Sequence, residues 1–304
     1  MYRIRFHGRG GQGIKTASRI LGTALFLEGF EVQDAPRYGA ERRGAPIFAY
    51  VRADDDPIKE RGVIHRPDLV VVADETLLTI SPFVVLEGVT VDSVVLICSS
   101  RSRSRWENKL SCPGKIVILD TSSIRGDGVP AGALCAGAAA ALLGKVSSKT
   151  LAMAVEEELG DHDPDLVKTN IEAILGAFEA MKCRYGSVRA GEAAAVAETP
   201  PPEWVNVPLD AVDIGAPVIH AGLTSRLVKT GLWRTRRPVI DAEKCRRCLQ
   251  CCTWCPEGGI VAAEDGLPVI DYDHCKGCLV CAAKCPFGAI RVIPEEQAGE
   301  EKDA

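Results

Sequence analysis

Three observations predict an α/β protein of two domains: strands alternating with helices up to about residue 181, consecutive prolines near residue 200, and nine of the thirteen cysteines crowded between Cys245 and Cys285. An open, mostly parallel sheet domain is expected first, and a small α+β domain organised by its cysteines second. A chain of 304 residues has room for both.

The first domain follows from hydrophobic patterning. Tyr2–His7 alternates charged and apolar residues, and Gly8-Arg9-Gly10-Gly11-Gln12-Gly13 then opens a helix over Ile14–Glu28. Leu69–Ala73, Val94–Cys98 and Ile116–Leu119 are short apolar runs of the kind that form buried parallel strands. Asp74 and Asp120 follow two of them, where open α/β sheets place binding crevices. Ala133–Leu143, Ser148–Leu159 and Pro164–Met181 read as helices, the second capped by Ser147 or Ser148 and presenting Glu156-Glu157-Glu158 to solvent.

Gly8, Gly10 and Gly13 fit G-x-G-x-x-G between a strand and a helix, so the domain is Rossmann-like. Three roles are open to this loop, Gly11 included. It could meet a dinucleotide, with Asp34 near the place of a ribose-binding acid. Its glycines could simply let helix and strand pack closely. It could also meet phosphates of another ligand, or the backbone of a partner.

Gly186-Ser187 opens a stretch of small residues ending in Thr199-Pro200-Pro201-Pro202, a semi-rigid spacer. Residues 1–185 are therefore the first domain, 186–237 a proline-containing linker and wrapping segment, 238–294 the second domain, and 295–304 a solvated acidic tail.

The second domain repeats itself. Cys245-x2-Cys248-x2-Cys251-x3-Cys255-Pro256 returns as Cys275-x2-Cys278-x2-Cys281-x3-Cys285-Pro286, and Pro238-Val239-Ile240-Asp241 returns as Pro268-Val269-Ile270-Asp271. This is the spacing of two-cluster ferredoxins, in which the fourth cysteine of each run ligates the other cluster. Cys245, Cys248, Cys251 and Cys285 are assigned to one 4Fe–4S cluster, and Cys275, Cys278, Cys281 and Cys255 to the other. Cys252 matches Ala282 and is read as a packed neighbour. Zinc sites use separated pairs of cysteines, and disulfide scaffolds suit short secreted chains. Cys98, Cys112, Cys135 and Cys183 share no spacing and read as small buried residues. His7, His65, His162, His220 and His274 show no metal spacing and read as structural.

A net charge of −5 offers no basic footprint for nucleic acid, and no apolar run approaches the ~20 residues that span a bilayer. No apolar signal segment opens the chain, and its thiol-rich content points to the reducing cytoplasm. No catalytic residue is assigned.

Gly8-Arg9-Gly10-Gly11-Gln12-Gly13, Tyr38-Gly39-Ala40-Glu41-Arg42-Arg43-Gly44-Ala45-Pro46 and Lys168-Thr169-Asn170-Ile171-Glu172-Ala173 resemble the gamma subunit of 2-oxoacid:ferredoxin oxidoreductases. Thr230-Gly231-Leu232-Trp233-Arg234, Pro238 and the cysteine repeat resemble the family's delta subunit. The resemblance implies a fused gamma–delta subunit, of pyruvate synthase or oxalate oxidoreductase type. It implies alpha and beta partners holding thiamine diphosphate and Mg2+, coenzyme A as cosubstrate, and external ferredoxin as electron acceptor. A dimer of heterotrimers is the implied assembly, and the gamma domain would lie near the coenzyme A side of the active site. Arg42 and Arg43 could grip coenzyme A phosphates or form interface salt bridges. Trp233-Arg234 and the stretch from Trp204 onward offer interface anchors. The competing expectation is an NAD(P)-binding iron–sulfur oxidoreductase. Arg246 and Arg247, between the first two ligands of one run where the other has Lys276 and Gly277, are expected to raise the potential of the first cluster.

Overall fold

The computed structural model describes residues 1–36, 44–80, 82–122, 130–191 and 228–300. Two compact units result, Met1–Ala195 and Val196–Ala304.

The first unit is built on a six-stranded sheet of order β2-β3-β1-β4-β5-β6. Its strands are β1 (Tyr2–Arg9), β2 (Glu31–Pro36), β3 (Pro46–Asp54), β4 (Leu69–Val72), β5 (Val94–Ser99) and β6 (Lys115–Asp120). β1, β4, β5 and β6 run parallel, whereas β3 is antiparallel to both β1 and β2. β4, β5 and β6 coincide with the expected apolar runs, and β1 with the alternating segment. β2 and β3 do not appear among those expectations, because Glu31–Pro36 is short and polar and the segment leading into β3 is rich in glycine and arginine.

The helices are α1 (Ile14–Leu27), α2 (Thr76–Ile80), α3 (Pro82–Leu86), α4 (Arg103–Lys109), α5 (Ala131–Leu143), α6 (Ser148–Leu159) and α7 (Pro164–Ala180). Ser147 caps α6 by accepting from the Thr150 amide, and Asp163 caps α7. One core joins Ile4 and Phe6 of β1 to α1, α5, α6 and α7, and a second joins Val70, Val95 and Ile116 to α2–α4, with Trp106 wholly buried. α5, AGALCAGAAAALL, is buried along almost its whole length, as a helix apolar on every side must be. Its small residues allow backbone contact: a Cβ on Gly137 would lie 2.0 Å from the Ile174 carbonyl of α7.

The charged face of β1 is buried too. Arg3, Arg5, His7 and Arg9 are each no more than 5% exposed, and Arg52 of β3 is fully covered. The arginine forks meet carbonyls of the irregular segments on that face: Arg5 donates to Ile64, Val85 and Glu87, and Arg52 to Gly62. An alternating strand would ordinarily leave one face wet. Here arginine satisfies the carbonyls of the irregular cover instead.

Asp68, just before β4, accepts from the Arg3 amide at 2.7 Å, yet burial pushes its carboxyl up to about 6. Unfolding returns it to the ordinary carboxylate range, so at pH 8 the folded chain bears the cost of a buried anion that the unfolded chain avoids. Protonation relieves that cost as pH falls through 6, at about 1.4 kcal/mol per unit of pKa difference. Between pH 8 and 5.5, Asp68 should therefore add stability as the pH drops. Urea unfolding followed by circular dichroism should show this contribution missing in Asp68→Asn, and an unchanged pH slope would refute it.

The first unit runs past the expected edge at residue 185. Gly186 and Val188 amides donate to Ala141 and Leu142 of α5, and Val188 is buried. Most of the expected linker, residues 192–227, lies outside the described residues, together with His220 and Trp204.

Candidate functional site: two cysteine-lined cavities and a glycine loop

The second unit displays its repeat as paired ladders. β7 (Arg236–Ile240) pairs with β10 (Ile290–Pro294), and β8 (Ile260–Ala262) with β9 (Pro268–Ile270), all antiparallel. Each cysteine run enters through an aspartate turn, with Cys245 N donating to Asp241 O and Cys275 N to Asp271 O. Each then passes two left-handed residues: Arg247 (φ 53°) and Leu249 (φ 57°) in the first copy, Gly277 (φ 70°) and Leu279 (φ 62°) in the second. Leucine at positive φ is strained, and such strain in both copies marks a constrained site. The left-handed turns curl each loop before the short helices α8 (Gln250–Thr253) and α9 (Val280–Ala283).

Two cavities result. One is lined by Cys245, Cys248, Cys251 and Cys285, with Arg246 and Phe287 among its other walls. The other is lined by Cys275, Cys278, Cys281 and Cys255, with Lys276 and Glu257. Three cysteines of one run thus share a cavity with the fourth of the other. Cys252 lines neither cavity. No three ligand-type side chains among the described residues converge tightly enough for a single metal ion. A cubane sets its four thiolates farther apart, around its own body, so a cysteine-only donor set spread about a cavity fits a 4Fe–4S cluster. Burial pushes the Cys251 and Cys281 thiols up to about 11, so metal charge is required to deprotonate them.

The residues around the second run extend to the end of the chain. Arg234 is 4% exposed and donates to Glu295 through Nε (2.6 Å) and Nη2 (2.7 Å), and through Nη1 to the carbonyls of Tyr272 (2.7 Å) and Cys275 (2.6 Å). Arg237 grips the same carboxylate at 3.1 and 2.6 Å and lies over the Tyr272 ring. Two expectations are corrected here. Glu295 opens a helix, α10 (Glu295–Glu300), and is buried rather than part of a solvated tail, because two guanidiniums compensate its charge. Arg234 is occupied inside this unit and is no surface anchor for a partner. Neither role was visible in sequence, since the residues are about sixty positions apart.

In the first unit, the glycine loop sits where β1 and β4 end and the connections leave on opposite faces of the sheet. A Cβ on Gly8 would lie 2.4 Å from Ile14, and Gly11 (φ 92°) and Gly13 (φ 73°) are left-handed. Gly10 exchanges backbone hydrogen bonds with Gly44 and Ala45. Gln12 spans the crevice to Asp74 at 2.7 Å, and Arg9 meets Thr76 and Gly44. These glycines therefore have turn and packing roles in this fold. Asp34 is not a ribose-binding acid beside β1: β3 intervenes, and Asp34 lies beside Ser18 and Arg19 of α1, its pKa raised by burial. Asp120 is exposed and accepts from Ser122. Arg42 and Arg43 lie outside the described residues. Of the unassigned cysteines, Cys98 and Cys135 are buried with sulfurs 3.4 Å apart, Cys112 is half-buried, and Cys183 is exposed, against expectation.

Residues 3–180, more than half of the chain, match the model of the pyruvate ferredoxin/flavodoxin oxidoreductase family. The chain belongs to that family. Residues 268–291 match the 4Fe-4S binding domain. The Pyrococcus abyssi pyruvate/ketoisovalerate oxidoreductases common subunit gamma is 37% identical over 183 residues, which are 59% of this chain and 96% of that protein. Pyruvate synthase subunit PorC of Thermotoga maritima is 36% identical over 60% of this chain and 95% of its own length. The Magnetococcus marinus 2-oxoglutarate:ferredoxin oxidoreductase, solved with 2-oxoglutarate, coenzyme A and succinyl-CoA, aligns with a TM-score of 0.51. That alignment covers 63% of this chain and 33% of the other at 16% identity, a likeness of fold alone. This family member is thus a 2-oxoacid:ferredoxin oxidoreductase subunit that carries a 4Fe–4S domain. Among the described residues, no helix is long and apolar enough to cross a membrane.

Proposed function

We propose that this chain is a fused gamma–delta subunit that carries electrons out of a thiamine-diphosphate-dependent complex cleaving a 2-oxoacid such as pyruvate. The observation that carries this reading is the pair of cavities, each lined by three cysteines of one run and one of the other, on a chain whose first 180 residues belong to the family. Cys245, Cys248, Cys251 and Cys285 would hold one 4Fe–4S cluster, and Cys275, Cys278, Cys281 and Cys255 the other. Each cluster, when bound, takes up and releases one electron at a time. The chain supplies thiolates, the strained turns that aim them, and a small apolar core that packs against five of the eight.

Thiamine diphosphate and Mg2+ belong in this reading to alpha and beta partners, in a dimer of heterotrimers in the cytoplasm, with external ferredoxin as acceptor. The first unit lies near coenzyme A in this reading, and the glycine loop and Arg42-Arg43 serve that cosubstrate or a partner chain. A relative named as common to pyruvate and ketoisovalerate oxidoreductases supports the view that substrate choice resides in other chains.

Purified alone, the chain should neither oxidise 2-oxoacids nor reduce NAD, while its chemically reduced form is reoxidised by an external acceptor. Adding the alpha and beta subunits should restore 2-oxoacid-dependent acceptor reduction. Turnover by the isolated chain, supplied only with thiamine diphosphate and coenzyme A, would overturn the subunit assignment.

A further inference from the structure

We propose that Arg234, held between Glu295 and the backbone of the second cysteine run, sets the potential of the Cys275-Cys278-Cys281-Cys255 cluster above that of its twin. The proposal rests on the cluster-holding role given above.

The two halves of this unit repeat with an offset of thirty residues, so position 234 corresponds to position 264. A guanidinium in one place is a carboxylate, Glu264, in the other. Glu264 is exposed, whereas Arg234 is buried with its Nη1 on the Cys275 carbonyl. The same offset explains a second asymmetry. Gly277 corresponds to Arg247, and a Cβ on Gly277 would lie 2.7 Å from Arg234 Cγ and 2.6 Å from the Arg236 carbonyl. The second run has glycine there because the Arg236 carbonyl and the Arg234 stem both pass against it. The first run has no such visitor and carries a full side chain.

Charge and orientation point the same way. Arg234 and Arg237 share one carboxylate, which leaves the buried group with a net positive charge. Glu295 sits on the Nε and Nη2 side, and the other end of the fork, Nη1, donates into the cysteine loop. Reduction adds negative charge to a cluster, and a cation in a poorly screened place stabilises that state. Arg246 and Arg247 of the first run carry the same sign. Arg246 is exposed, and Arg247 is 55% exposed and pairs with Asp265 at 3.7 Å, so water screens both. Lys276 of the second run is neutralised by Glu257 at 2.6 Å. Sequence alone gives the higher potential to the first cluster. Burial transfers it to the second.

The test is an anaerobic redox titration of the full chain, followed by electron paramagnetic resonance, in the parent and in Arg234→Gln, Arg237→Gln and Glu295→Gln. The arginine variants should lower one midpoint and Glu295→Gln should raise the same one, with the other midpoint unmoved. The midpoint that moves should be the higher one, and the one missing from Cys278→Ala. Opposite signs separate this role from a structural one, because damage to packing would not push the midpoint up in one variant and down in another. If Arg234→Gln fails to assemble, Arg237→Gln and Glu295→Gln still give the two signs. Fully loaded variants with both midpoints unmoved, or shifted in one direction, would overturn the proposal. A parent chain lacking about eight iron and eight sulfide would instead overturn the cluster-holding role beneath it.

Discussion

Cys255→Ala and Cys285→Ala should each halve the metal content, from about eight iron atoms per chain to about four. The distinguishing result comes from pairs. Cys255 lines the cavity of Cys275, Cys278 and Cys281, and Cys285 lines that of Cys245, Cys248 and Cys251. Cys255→Ala combined with Cys278→Ala damages one cavity twice, so about four iron atoms should remain. Cys255→Ala combined with Cys248→Ala damages both cavities, and the iron should be lost almost entirely. Uncrossed ligation predicts the reverse: Cys255 with Cys248 would spare one cluster, and Cys255 with Cys278 would spare neither. Iron and sulfide analysis therefore decides between them without any need to assign spectra. In the assembled complex, either single variant should cut acceptor reduction far more than substrate cleavage.

Gly137→Ala should destabilise the first unit, although alanine normally favours a helix by about 1 kcal/mol over glycine. The reason is the carbonyl of Ile174, 2.0 Å from where the Cβ would stand. That atom belongs to the α7 backbone, so relief requires separating two helices whose contact is central to the core. Overpacking of this kind costs about 3 kcal/mol, more than the helical gain. Gly176→Ala on α7 is the control, since nothing lies within 4 Å of its Cβ, and it should be neutral or mildly stabilising. Chemical unfolding of the two variants should give opposite signs. Equal stabilities would remove the close contact as an explanation for the glycine.

The pattern of legibility follows from the range of the interactions. The four parallel strands and four of the helices were readable because each is a local run whose hydrophobic period states its burial, as in Val94–Ser99 or Ser148–Leu159. β2 and β3 were not, because an inserted antiparallel pair is defined by its neighbours and not by its own composition. Their presence removes Asp34 from the place a dinucleotide-binding fold would give it. The charged face of β1 shows the same limit: alternation in Tyr2–Arg9 states which residues share a face, but not that carbonyls of a distant segment will cover the arginines.

The eight cysteines, their doubled spacing and the order of the two domains were all written in the chain, since a thiolate set at short separation can serve few chemistries. Tertiary structure alone decided which charges weigh on those cysteines. Arg246 and Arg247 stand inside the first run and are left to solvent. Arg234 and Glu295 lie before and after the repeat, and folding buries them together against Cys275. Sequence proximity sets which groups are neighbours, but screening depends on burial, and burial is a property of the folded whole.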